Sequence, residues 1–142
     1  MTQPNWTKQL ISTDFYADLP TDRESGYGTI TKKWLHDSKL WLKKYLVTTF
    51  NVNPKEVIFN QGYFEWSCFA LVGSQWWYFS TGDIRFKILG SLLVRTARHN
   101  KDYTGGGNRF VDYNSRSFEE NLTTILQPSY NRAQFTRTEM QP

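Results

Sequence analysis

The sequence predicts an α+β fold. An antiparallel sheet of about four to five strands carries an N-terminal amphipathic helix and a short C-terminal helix packed on it. Three observations lead there. Residues 29–50 repeat apolar side chains at helical spacing. Residues 57–113 break into short β-prone runs joined by hairpin-length turns. No βαβ spacing separates those runs, which argues against a parallel sheet. A chain of 142 residues points to one domain. It is placed over 29–126, between an N-terminal arm or loop at 1–28, only partly ordered, and a polar tail at 127–142.

Each element has its own signal. Residues 1–28 are punctuated by Pro4, Pro20 and Gly26-Tyr27-Gly28 and read as loop, with a short strand expected from Gln9 to Tyr16. The helix over 29–50 follows Gly28, with Thr29 or Thr31 as its cap. Ile30, Trp34, Leu35, Trp41, Leu42, Tyr45 and Leu46 fall on one broad face, and Lys32, His36, Lys39 and Lys43 on a narrow opposite stripe. Residues 51–54 stop it. Residues 57–60 form a first strand. The even positions of 63–72 (Phe64, Trp66, Cys68, Ala70, Val72) are all apolar, as in a half-buried strand. Gly73-Ser74-Gln75 turns the chain into 76–80, so these two strands pair as a hairpin. Thr81-Gly82-Asp83 is a further turn, 84–88 is ambiguous between strand and loop, and 89–98 is a strand. Residues 104–108 are a glycine loop and 109–113 the returning strand. Ser117 and Glu120 form a capping box before a helix over 118–126, with Phe118, Leu122 and Ile125 on one side. Pro128 ends it, and Phe135 is a candidate anchor in the tail.

Composition narrows the function classes. With six Trp, eight Tyr and ten Phe, large rings can hold a core with few aliphatics, or line an exposed binding surface. The net charge of +4 biases the protein mildly toward anionic partners. That charge sits in two segments: 29–51, where five lysines face Asp37, and 76–113, where six cations face three aspartates. A single cysteine, Cys68, excludes an intramolecular disulfide and a cysteine-based metal site. Set among apolar neighbours, it reads as an inert core thiol. A reducing compartment is expected, and with no apolar signal-peptide core at the N-terminus, a cytoplasmic location. No run of eighteen apolar residues suggests a membrane span.

The chemistry concentrates at the end of the 89–98 strand and in the loop after it. Arg95, Arg98, His99, Lys101 and Arg109 are the cations and titratable groups there. Strand alternation puts Arg95 and His99 on one face and Arg98 on the other, so regularity is expected to end near Arg98. Arg95, deep in an apolar strand, needs a partner. Either it pairs with Asp83, Asp102 or Asp112, or its fork grips an outside carboxylate or phosphate. Gly105, Gly106 and Gly107 allow positive φ and an amide nest for an anion, with Asn108 and Arg109 as side-chain hands and Tyr103 as a stacking platform. The run lacks the lysine-serine end of a P-loop. Trp77 and Phe79 share one strand face, Trp76 and Tyr78 the other. One pair is expected in the core, and the second on a base or a partner. Asp83, Asp102 and Asp112 as a Mg²⁺ site, and His99 with Asp102 as an acid/base pair, are the enzymatic alternatives.

Three functions follow in order. The first is a non-enzymatic binding protein for a nucleotide or nucleic acid, without a cofactor or metal. It would hold phosphates with Arg95, Arg98, Lys101 and Arg109, and a base on Tyr103 or Trp76. The second is a protein-interaction module, such as a virus- or mobile-element-encoded inhibitor or adaptor, acting through an aromatic surface that can also form a homo-oligomer. The third is a small hydrolase or transferase acting on a phosphate-containing substrate.

Overall fold

A computed structural model describes residues 3–19, 28–86 and 90–127. Its elements run α1 (Asn5–Ser12), α2 (Thr29–Phe50), a 3-10 turn (Pro54–Glu56), β1 (Val57–Gln61), β2 (Trp66–Val72), β3 (Gln75–Ser80), β4 (Ser91–Ala97), β5 (Arg109–Asp112) and α3 (Phe118–Leu126). The five strands form an antiparallel meander in the order β1-β2-β3-β4-β5. The fold is α+β, as the turns and alternation predicted.

Alternation divides the sheet into two faces. Register places Phe59, Cys68, Phe79 and Val94 in one row, and Val57, Ala70 and Trp77 in the next. Every strand residue of the shared hydrophobic core belongs to this face, together with Trp34, Leu42, Leu46, Phe118 and Leu122 from the helices. The other face carries Ile58, Phe69, Leu71, Trp76, Tyr78, Leu93, Arg95 and Phe110, and none of these strand residues belongs to the core that the helices share. Val72 pairs with Gln75, so the β2–β3 turn is the two residues Gly73-Ser74. Gly73 takes φ 62°, the left-handed region that a tight hairpin asks of its first central residue.

Polar bonds inside the core fix the helices on the sheet. Trp66 Nε1 donates to Ser38 Oγ of α2 at 2.8 Å. Tyr45 and Thr123 hydroxyls meet at 2.7 Å, tying α2 to α3. Trp34 Nε1 donates to the Trp6 carbonyl at 2.7 Å, tying α2 to α1. Trp6 packs edge-on against Trp34, Tyr113 and Phe118, each at 5.5 Å. These bonds matter because a buried donor without an acceptor costs more than the bond itself contributes.

Five local expectations are corrected. The short strand expected from Gln9 to Tyr16 is absent. Residues 5–12 are helix α1, and Trp6, Leu10 and Phe15 are buried. Trp6 and Leu10 lie one helical turn apart on the covered side, which gives eight residues a reason to be helical only in the presence of the rest of the chain. The cap of α2 is neither Thr29 nor Thr31. Asp18 Oδ2 accepts the Thr31 amide at 2.7 Å and its hydroxyl at 3.0 Å. Ile30 is not on the covered face and stays 51% exposed. Ser117 makes no side-chain cap bond, and its φ −97°, ψ 22° is not the extended conformation a capping box needs. The strand expected over 63–72 begins only at Trp66, because residues 62–65 turn, with the Gly62 amide donating to the Glu65 carbonyl at 2.9 Å. Asn51, at φ 56°, ends α2 as expected. The expectations for residues 20–27, for residues 87–89 and for the tail beyond 127 lie outside the described residues.

Candidate functional site

β4 ends at Ala97, and residues 98–108 fold back to reach β5. Asp102 holds the first half of this connection. Its side chain is 1% exposed. It accepts the Arg98 amide at 2.9 Å, Arg98 Nε at 3.0 Å and Nη2 at 3.2 Å, and the Thr104 amide and hydroxyl at 3.1 and 3.2 Å. The Arg98 side chain and then these amides hold the Asp102 carboxyl well below the ordinary carboxylate range.

The glycines hold the second half, in a way the sequence reading did not foresee. None of Gly105, Gly106 and Gly107 has positive φ. Gly105 and Gly106 are there for close approach. A Cβ on Gly105 would lie 2.3 Å from the Thr96 carbonyl oxygen, and one on Gly106 2.2 Å from Thr96 Oγ1. The Gly106 amide donates to the Thr96 carbonyl at 3.0 Å. The loop is therefore docked along the end of β4.

The predicted cations separate. Arg95 is on the open face, opposite Tyr78, with its guanidinium carbon 4.3 Å from that ring centre. It donates Nη2 to the Tyr103 carbonyl, and its Nε is buried without a hydrogen-bond partner. None of Asp83, Asp102 and Asp112 pairs with it: Asp83 is taken by Arg85 at 2.6 Å and Asp102 by Arg98 at 3.0 Å, and the Asp112 carboxylate accepts the Asn114 amide at 2.8 Å. The internal ion pair considered for Arg95 is thus replaced by a cation–π contact. Arg98 is exposed but neutralised by Asp102. Arg109 pairs in register with Val94, so it stands on the opposite face, 5.9 Å from the Trp77 ring centre. It does not join the Arg95 cluster. Lys101, His99, Asn108 and Gly107 are exposed. His99 Nδ1 accepts the Lys101 amide at 3.1 Å, while the Asp102 carboxylate is occupied by Arg98 and Thr104, so no acid/base pair forms. Among the described residues no three acids, histidines or cysteines gather as a metal site.

Two groups of sequence-predicted residues do come together. Trp76, Arg98 and Gly106 line one depression of about 340 Å³, with Ser74, Gln75, Thr96 and Ala97. It lies where β3 begins and β4 ends. Beside it on the open face, Tyr103 packs on Phe69 and Tyr78 at 5.1 and 5.8 Å, and Asn60 Nδ2 donates to its hydroxyl at 3.3 Å. Phe69 and Asn60 were not foreseen. Their signal was available in the alternation of β1 and β2, which puts both on the face of Tyr78. Trp77 and Phe79 are the core pair, Trp76 and Tyr78 the outer one.

The lysine stripe of α2 belongs to the other side of the molecule, since α2 lies on the covered face. Lys32, His36 and Lys43 are exposed there, and Lys39 Nζ reaches Gln61 Oε1 at 2.7 Å. Cys68 is buried, and burial pushes its thiol far above the ordinary range. No helix among the described residues is long and apolar enough to cross a membrane. No family model, curated protein or solved structure matches the chain.

Proposed function

We propose that the open sheet face binds single-stranded nucleic acid, with no chemistry performed on it. The observation that carries this is Arg95. Its guanidinium carbon sits 4.3 Å from the Tyr78 ring centre, on a face that none of the described helices covers, with no acid of the described residues opposite it. Around it, Trp76 and Tyr78 are partly exposed and Phe110 is 64% exposed. Aromatic rings spaced along a sheet offer stacking to unpaired bases, and neighbouring cations hold the phosphates. Arg95 and Lys101 are the phosphate contacts in this reading. Arg98, already charge-balanced, orients a phosphate at the Trp76 depression through the donors that Asp102 leaves unused.

Fluorescence anisotropy tests this with a labelled single strand of about ten nucleotides and the same sequence as a duplex. The single strand should bind more tightly, with Trp emission quenched, and Arg95→Ala should weaken it. Equal affinity for the duplex, or no response to Arg95→Ala, would remove the reading.

A second reading, docking of a protein or of another copy of this chain on the same face, is favoured by Phe110 and the partly exposed Ile58, Leu71 and Leu93. It expects concentration-dependent mass in sedimentation that Phe110→Ser abolishes.

A further inference from the structure

Phe69 stands apart from its neighbours on the open face. Ile58, Leu71, Tyr78 and Leu93 keep partial exposure, yet Phe69 is 0% exposed with none of the described helices over it. Its cover is a ring from the loop. Tyr103 stands edge-on to it at 5.1 Å and 81°, and Tyr78 closes the side at 5.1 Å. Tyr103 itself is 51% exposed, so it lies on the core rather than in it. One polar contact holds its tip, the 3.3 Å bond from Asn60. One holds its backbone, from Arg95.

From this geometry we infer that Asn60, Phe69, Tyr78 and Arg95 frame a slot for one planar ring. Tyr103 fills it in the unliganded protein, and a nucleobase of the bound strand takes it when Tyr103 rotates out. The inference rests on the nucleic-acid reading above and adds how that face is gated. Three features suit a base in this slot, and two of them favour it over a phenol. Asn60 carries both a donor and an acceptor, of which the Tyr103 hydroxyl engages one. A base edge engages both. Phe69 and Tyr78 supply apolar aromatic walls that a ring in the place of Tyr103 meets edge-on. Arg95 spends Nη2 on the Tyr103 carbonyl while its Nε has no partner. The phosphate of a nucleotide whose base is in the slot accepts from Nε and from the second Nη2 hydrogen in a fork. The exchange leaves the rest of the loop in place, because Asp102 on one side and Gly106 on the other anchor it to β4.

The test is Tyr103→Ala. Removing a built-in competitor raises apparent affinity by the reciprocal of the open fraction. The variant should bind the labelled single strand at least about threefold more tightly than the wild type, and Asn60→Ala in that background should remove the gain. Should the alanine variant fail to fold, Tyr103→Phe gives up only the Asn60 contact and should move the affinity in the same direction. Unchanged or weaker binding by these variants overturns the slot, since Tyr103 would then be a platform or a bystander, while the nucleic-acid reading survives in the wild type's binding. Absence of binding by every variant sinks the nucleic-acid reading instead. The slot is then judged by p-cresol, the small-molecule analogue of the tyrosine side chain. A raised melting midpoint of Tyr103→Ala in p-cresol keeps the ring slot, and no shift overturns it.

Discussion

Salt dependence gives the sharpest test of which side of the molecule meets an anion. Arg95 on the open face and Lys101 in the loop after β4 have no acid partner among the described residues, whereas the charge of Arg98 is balanced by Asp102. Two uncompensated cations meeting a single strand give a log–log slope of about −1.4, so raising salt from about 50 to about 200 mM should lower affinity about sevenfold. Arg95→Ala leaves one cation, a slope of about −0.7, and a loss of about 2.6-fold over the same range. Anisotropy titrations at four or five salt concentrations read both slopes. The covered side makes a different forecast. Lys43 and Lys44 on α2 are exposed, and binding there would show a slope that Arg95→Ala leaves untouched and Lys43→Ala flattens. That outcome, or a flat slope in the wild type, refutes the assignment of phosphate contacts to Arg95 and Lys101.

Four further outcomes follow from the packing. Ser38→Ala removes the acceptor of the buried Trp66 indole N–H and should cost about 1–3 kcal/mol in denaturant unfolding. Gly105→Ala forces a Cβ into the Thr96 backbone carbonyl and should destabilise by about 1–3 kcal/mol. Gly107→Ala, with nothing within 4 Å of its Cβ, should be neutral in the same assay. The Asp102 carboxyl titrates below its unfolded range, so its contribution is present above about pH 4 and is lost as pH falls through and below that value. The melting midpoint should drop on acidification, and Asp102→Asn should start lower and flatten that drop.

The meander was legible because its signals are local. Trp66, Cys68, Ala70 and Val72 alternate with Ser67, Phe69 and Leu71, which point to the other face, and Gly73-Ser74 has the chemistry of a two-residue turn. The helix over 29–50 was legible for the same reason, since its apolar stripe is long enough to show the period. What was hidden depends on residues far apart in sequence. Helix α1 is too short to be recognised from Trp6 and Leu10 alone, and its partners are Trp34, Tyr113 and Phe118. The cap from Asp18 to Thr31 joins residues 13 apart in sequence. The candidate site was half legible. Arg95, Trp76 and Tyr103 do belong to one surface, but Arg109 was assigned to it without a register, and the Val94–Arg109 pairing sends it to the other face. The triple glycine suggested conformational freedom, and the structure uses two of its members for lack of bulk.

The place of Trp6 has a bearing on biosynthesis. Each strand of the sheet pairs with the next to leave the ribosome, so the meander can zip up as it emerges. Helix α1 is made before the strands, yet ring partners of Trp6 lie far downstream in Tyr113 and Phe118, and Gln3, just ahead of the helix, donates to the Tyr113 carbonyl across 110 residues. At ordinary elongation rates that gap lasts roughly 5–22 s. Through that interval the Trp6–Leu10 side of the nascent chain has nothing to dock against except α2. A chaperone that recognises short aromatic segments would find its best opportunity there, before β5 and α3 arrive to close over it.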